Sequence, residues 1–209
     1  NNVMISPLSI TYALGMTYNG ARNATQTGMG KTMHLADLPM ADINASYKHL
    51  EEALTTVDDK VDMQLANSLW YQQSFEVQDS FINLNKTYYN ARVEALDFSS
   101  ADAPDTINQW VADATNNRIP KIVNQISPLD MMMLINAVYF KGQWRYPFNE
   151  DQTRNAAFHL RDSSTIQVPT MHEENDFYYI THKEATGVEL PYGRGNFSMV
   201  LMLPPEGHY

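Results

Sequence analysis

Cysteine is absent from the 209 residues, which excludes disulfides, thiolate nucleophiles and thiolate metal sites together and leaves the redox compartment open. Basic charge is scarce. With 14 Lys and Arg against 24 Asp and Glu, the formal net charge is -10, and Lys and Arg cluster nowhere, which argues against nucleic acid or an anionic membrane as partner. No apolar run is as long as a membrane span, and the opening residues NNVMISPLSI lack the charged start and long apolar centre of a secretion signal. What is present is a globular composition, 44% hydrophobic and 18% charged, enough to bury a substantial core in what reads as one domain.

Chemistry is also missing. There is no nucleotide-binding loop, no H-E-x-x-H helix and no G-x-S-x-G turn. His172 stands beside Glu173 and Glu174, but neighbours in an extended segment point to opposite faces, so no metal is expected. The pair Asp58-Asp59 falls in a turn, where a solvated surface fits better than an acid/base dyad. No enzyme activity, no catalytic residue and no cofactor is implied. Four Asn-x-Ser/Thr sequons, at Asn23, Asn44, Asn85 and Asn196, are weak signals of glycosylation, since such tripeptides arise by chance.

The periodicity divides the chain. In SPLSITYALGMTYNGA, Ser6 precedes Pro7, and Ile10, Ala13, Leu14 and Thr17 recur at helical spacing, which predicts a capped, largely buried helix. Further helices are expected through about Ile43 to Leu54, in DSFINLNKTYYN and in APDTINQWVADATNNRI, where Ile107, Trp110 and Val111 form one face. MQLANSLWYQ and ARVEALDF read as strands. From Met131 onward TIQVPTM, DFYYITHKEATGVELPY and NFSMVLMLPP are β-rich pieces divided by Gly and Pro. Helices early and strands late give an α+β class with large antiparallel or mixed sheets.

The most distinctive stretch is MMMLINAVYFKGQWRYPF, Met131 to Phe148, a strand-length apolar run broken at Lys141-Gly142 before Trp144. With Thr153 and Phe158 downstream, it resembles the central-sheet strand and following turn of the serpin family. NVMISPLSI resembles that family's short strand and the start of its second helix. INQWVADATNNRIPKIV resembles the helix lying across the main sheet, and VELPYGRGNFSMVLMLP the core strands of the second sheet. The segments come in family order over residues 1–209, so the chain reads as an incomplete serpin domain, beginning after the first helix and stopping short of the reactive loop.

The resemblance implies the serpin fold and, for inhibitory members, irreversible trapping of a serine protease, less often a cysteine protease. The cleaved reactive loop then enters the main sheet as an added strand. A non-inhibitory serpin acting as carrier, chaperone or storage protein is the alternative. The resemblance further implies a secreted protein whose partners are a target protease and the missing C-terminal serpin segment. It makes Met132 to Phe140 an interior strand of the largest sheet. It puts Asn2, Ser6, Ser9 and Asn136 in the polar shutter under the sheet centre, and Trp144 and Thr153 at the breach, where the loop first enters. Ser6 also reads as a plain helix cap and Trp144 as core aromatic mass. Because YKHLEEALTTVDDK is acidic on balance, activation by a glycosaminoglycan is not expected. With its last strands missing, the second sheet is expected to expose Val188, Leu190, Val200 and Leu201.

Overall fold

The structure, a computed structural model, describes residues 2–160 and 162–205. The chain forms two compact units, one of residues 1–56 with 63–140 and one of 57–62 with 141–209.

The first unit is a three-stranded sheet between helices. Helix α1 (Pro7–Gly20) starts where sequence chemistry puts it: extended Ser6 accepts the Ser9 amide on its side chain, and Pro7 opens the helix, where its missing N–H leaves no donor unpaired. Then follow α2 (Asn23–Thr32), α3 (Met40–Thr56), β1 (Val61–Gln72), α4 (Asp79–Tyr89), β2 (Arg92–Leu96), α5 (Ala103–Ala114) and β3 (Met132–Gly142). The sheet order is β2-β1-β3. Strands β1 and β2 are parallel, with Ser68 opposite Arg92 and Gln72 opposite Leu96. Gln72, ending β1, bonds Met131 just before β3, and Asn67 meets Asn136 further in, so β1 and β3 are antiparallel.

Alternation along β1 sends side chains to two cores. On one face Leu65 packs with Tyr12, Met16, Tyr18, Ile43, Tyr47 and Tyr89. On the other, Trp70 packs with Phe98, Ile107, Val111, Val123 and Ile135, with Trp110 against the cluster. Helix α5 therefore lies on the sheet through the face its spacing marked.

Two expectations need correction. Met132 to Phe140 is a strand but an edge strand, with β1 between it and β2; among the described residues no strand lies beyond it, so its apolar faces are mostly half-buried rather than enclosed. In α1 the buried residues are Tyr12, Gly15, Met16, Tyr18 and Asn19, whereas Ile10 and Leu14 are 52% and 39% exposed. The helix is apolar on both sides, and the side carrying the larger aromatic mass is the one covered.

The second unit is β-rich. Strands β4 (Arg154–His159) and β5 (Thr165–Thr170) form an antiparallel hairpin, and β6 (Tyr178–His182), β7 (Ala185–Tyr192) and β8 (Phe197–Leu203) form an antiparallel meander. Val200 and Leu201 are half exposed, as anticipated, while Val188 and Leu190 on the central strand are partly covered.

The β7–β8 turn is fastened from below. Asp58 is buried rather than solvated, contrary to the sequence reading. It accepts the Lys60 amide at 3.0 Å and the Arg194 amide at 2.8 Å. Gly193, at φ 47, comes so close that a Cβ would stand 2.5 Å from the carboxylate, so only glycine fits. Asp59 holds the Arg194 side chain through two contacts of 2.6 and 2.8 Å. Burial alone would raise the Asp58 carboxyl, but the amides of Lys60, Arg194 and Asn196 together hold it below the usual carboxylate range, and Arg194 lowers Asp59 likewise. Depressed carboxyls stabilise the folded state above their unfolded pKa and lose that contribution as pH falls through the folded one. The turn should therefore loosen on acidification below the ordinary carboxylate range. The protection factors of the Arg194 and Gly195 amides, followed by NMR and referred to the intrinsic exchange rate at each pH, should fall there in the wild type. In Asp58→Asn exchange should already be fast at neutral pH; an equally protected turn in that variant would refute the fastening role.

Candidate functional site

The polar residues singled out in the first unit do not meet in one cluster. Ser6 and Ser9 form a half-buried pair in which the Ser9 hydroxyl donates to the Ser6 oxygen at 2.9 Å and the Ser9 amide to the same oxygen at 3.2 Å. Asn2 is exposed and bonds to neither serine. Asn136, in the middle of β3, donates its amide to Asn67 Oδ1 at 2.6 Å. No hydrogen bond joins the serine pair to Asn136 among the described residues.

Sequence reasoning missed Asn67. It is 2% exposed and relays the Asn136 contact onward by donating Nδ2 to the Tyr89 carbonyl at 2.8 Å, so β3, β1 and the end of α4 share one polar seam. The signal was there: an asparagine inside the apolar run LANSLWY is out of place on a strand unless it has buried partners. Among the described residues the Asn136 Oδ1 atom and the Tyr89 hydroxyl are buried without a hydrogen-bond partner.

Beneath the seam lies a tyrosine cluster. Tyr12 meets Tyr47 edge-on at 5.1 Å and Tyr89 at 6.1 Å. The Tyr12 hydroxyl donates to the Tyr47 carbonyl at 2.8 Å. Burial, with smaller effects from neighbouring groups, pushes the phenols of Tyr12 and Tyr89 well up, so both stay neutral. A chain of amides runs alongside, Asn44 donating to Asn19 at 2.9 Å and Asn19 to Asn85 at 3.4 Å.

In the second unit Trp144 stacks on Tyr192 with centroids 4.3 Å apart and 14° between planes, and meets Phe148 edge-on at 5.8 Å. Thr153 closes a single 3-10 turn, Glu150–Gln152, by donating its amide to the Glu150 carbonyl at 3.0 Å. His172 and Glu174 are exposed, and among the described residues no three acidic, His or Cys side chains gather as metal ligands.

The comparisons agree with this architecture. The family model described as Serpin (serine protease inhibitor) matches residues 1–209, and the chain belongs to the serpin family. Neuroserpin of Homo sapiens is 36% identical over 97% of this chain and 52% of its own length. The leukocyte elastase inhibitor of Bos taurus is 32% identical over 98% of the chain and 55% of its own. The structure of a thyroxine-binding globulin complex with thyroxine superposes with a TM-score of 0.89 at 30% identity, covering 99% of this chain and 58% of that one. The chain spans about half the length of the curated relatives it matches.

Proposed function

We propose that this chain is part of an inhibitor of serine proteases that works by taking its own cleaved reactive loop into the β2-β1-β3 sheet beside β3. The observation that carries the reading is the build of β3: an edge strand with apolar side chains, and one asparagine whose partner Asn67 lies on the opposite side from the open edge. A strand with one free flank offers amides and carbonyls for a further strand to pair with. On this reading Asn136, with Ser6, Ser9 and Asn2, belongs to the shutter, and Trp144 and Thr153 to the breach. The relative named as an elastase inhibitor supports a protease as partner. The thyroxine complex supports the other reading, a carrier built on the same fold.

The full-length protein, mixed with serine proteases of trypsin-like, chymotrypsin-like and elastase-like specificity, should give with one of them a covalent complex that survives SDS. Loop cleavage without any complex, and with no gain in thermal stability on cleavage, would refute the inhibitor reading and leave the carrier.

A further inference from the structure

Four sequons are written in the sequence, and the fold treats them very differently. Asn44 is 1% exposed and Asn85 is fully buried, and the amide nitrogens of both are already committed, Asn44 to Asn19 Oδ1 at 2.9 Å and Asn85 to the Phe81 carbonyl at 3.1 Å. No sugar fits at either position in the folded chain. Asn196 is exposed, but its amide nitrogen reaches the Val57 carbonyl at 3.3 Å and the Asp58 carboxylate at 3.4 Å, so it helps fasten the β7–β8 turn.

Asn23 is the exception. It opens α2 from an exposed position at φ 52, with Ala24 and Thr25 exposed behind it, and its side-chain amide makes no hydrogen bond among the described residues. At the start of a helix the first amides have no intrahelical partner, so a group attached there disturbs no ladder. Arg22, immediately before, is held by α1, donating to the Asn19 and Ala21 carbonyls at 3.0 and 2.7 Å, so the sequon begins at a fixed point and projects outward.

We infer that Asn23 is an N-glycosylation site, the one sequon of the four that accepts a glycan in the folded protein, wherever the chain meets an oligosaccharyltransferase. The substrate class is a lipid-diphosphate-linked oligosaccharide. The Asn23 amide nitrogen forms a bond to the anomeric carbon, the carbon–oxygen bond to the lipid diphosphate breaks, the diphosphate leaves with the bonding pair, and the amide proton passes to a base of the transferase. The inference stands whether the complete protein inhibits a protease or carries a ligand.

The test is secretion of the full-length protein from a glycosylating eukaryotic host behind an added signal peptide. The folded product is then treated with peptide N-glycosidase in heavy-oxygen water, and its peptides are weighed. Peptide 23–31 should carry the heavy-oxygen aspartate in most molecules, and the peptides holding Asn44, Asn85 and Asn196 should not. Thr25→Ala, which keeps Asn23 but removes the acceptor pattern, should lose one glycan's mass on a gel while leaving the thermal midpoint within about a degree of wild type expressed without glycan, since Thr25 is exposed. An unmodified Asn23, or a glycan on any of the other three in soluble folded protein, would overturn the inference.

Discussion

Replacing Trp70 with alanine should remove about 3–5 kcal/mol from the stability of the complete protein, the usual range for truncating a large buried aromatic. Trp70 is fully buried. It belongs to the cluster of Phe98, Ile107, Val111, Val123 and Ile135 between α5 and the sheet, and meets Trp110 edge-on at 6.2 Å. Its indole N–H donates to Ser68 Oγ at 2.9 Å, so the substitution also leaves that hydroxyl without its donor. A loss of this size approaches the whole stability of an ordinary domain. Urea melts followed by circular dichroism should show the midpoint collapse for Trp70→Ala and a smaller fall for Trp70→Phe, which keeps most of the volume. Near-identical midpoints for Trp70→Ala and wild type would mean that α5 is not seated as described.

The second large effect concerns the seam. Asn67→Leu keeps the branched outline of the side chain, adds the bulk of its methyl groups, and strands two groups at once, the Asn136 amide and the Tyr89 carbonyl, at about 1–3 kcal/mol for each. In the complete protein the loss should appear less as global unfolding than as loosening of β3, the strand beside which the proposed insertion takes place. Native gels after mild heating should then show polymers or a latent monomer for Asn67→Leu and for Ser6→Phe, which overpacks the Ser6–Ser9 pair. His49→Phe, on the exposed side of α3, should show neither. Equal ladders for all three variants, or none for Asn67→Leu, would refute the shutter role.

Much of the fold was legible because local signals and tertiary demands agree. Ser6 followed by Pro7 can hardly be anything but a helix start, the β-branched and aromatic run to Phe140 is a strand, and the spacing of Ile107, Trp110 and Val111 picks the face α5 presents to the sheet. Where the signals part, the reading fails for identifiable reasons. Helix α2, NATQTGMGKT, has no apolar stripe and was not expected; it forms with little burial of its own, Gly30 being its one buried residue. In α1 both sides are apolar, so periodicity could not say whether Tyr12 or Ile10 faces inward. Asp58 looked like a turn carboxylate because sequence shows its neighbours and not Arg194, 136 positions away. Asn67 and Asn136 are 69 positions apart, and only the antiparallel register of β1 and β3 reveals that they are one device.

The last strand, β8, carries a consequence of a different kind. Its sequence FSMVLML contains no charge and no proline, Met202 and Leu203 are about two-thirds exposed, and in the order β6-β7-β8 it holds the outer position. Seven uncharged residues of that makeup have the composition of a cross-β spine, in which identical segments stack in register and interdigitate dry. A strand of that makeup, left as an uncovered edge, offers its amides and carbonyls to a like strand, so the isolated chain is expected to self-associate through β8 as its concentration rises.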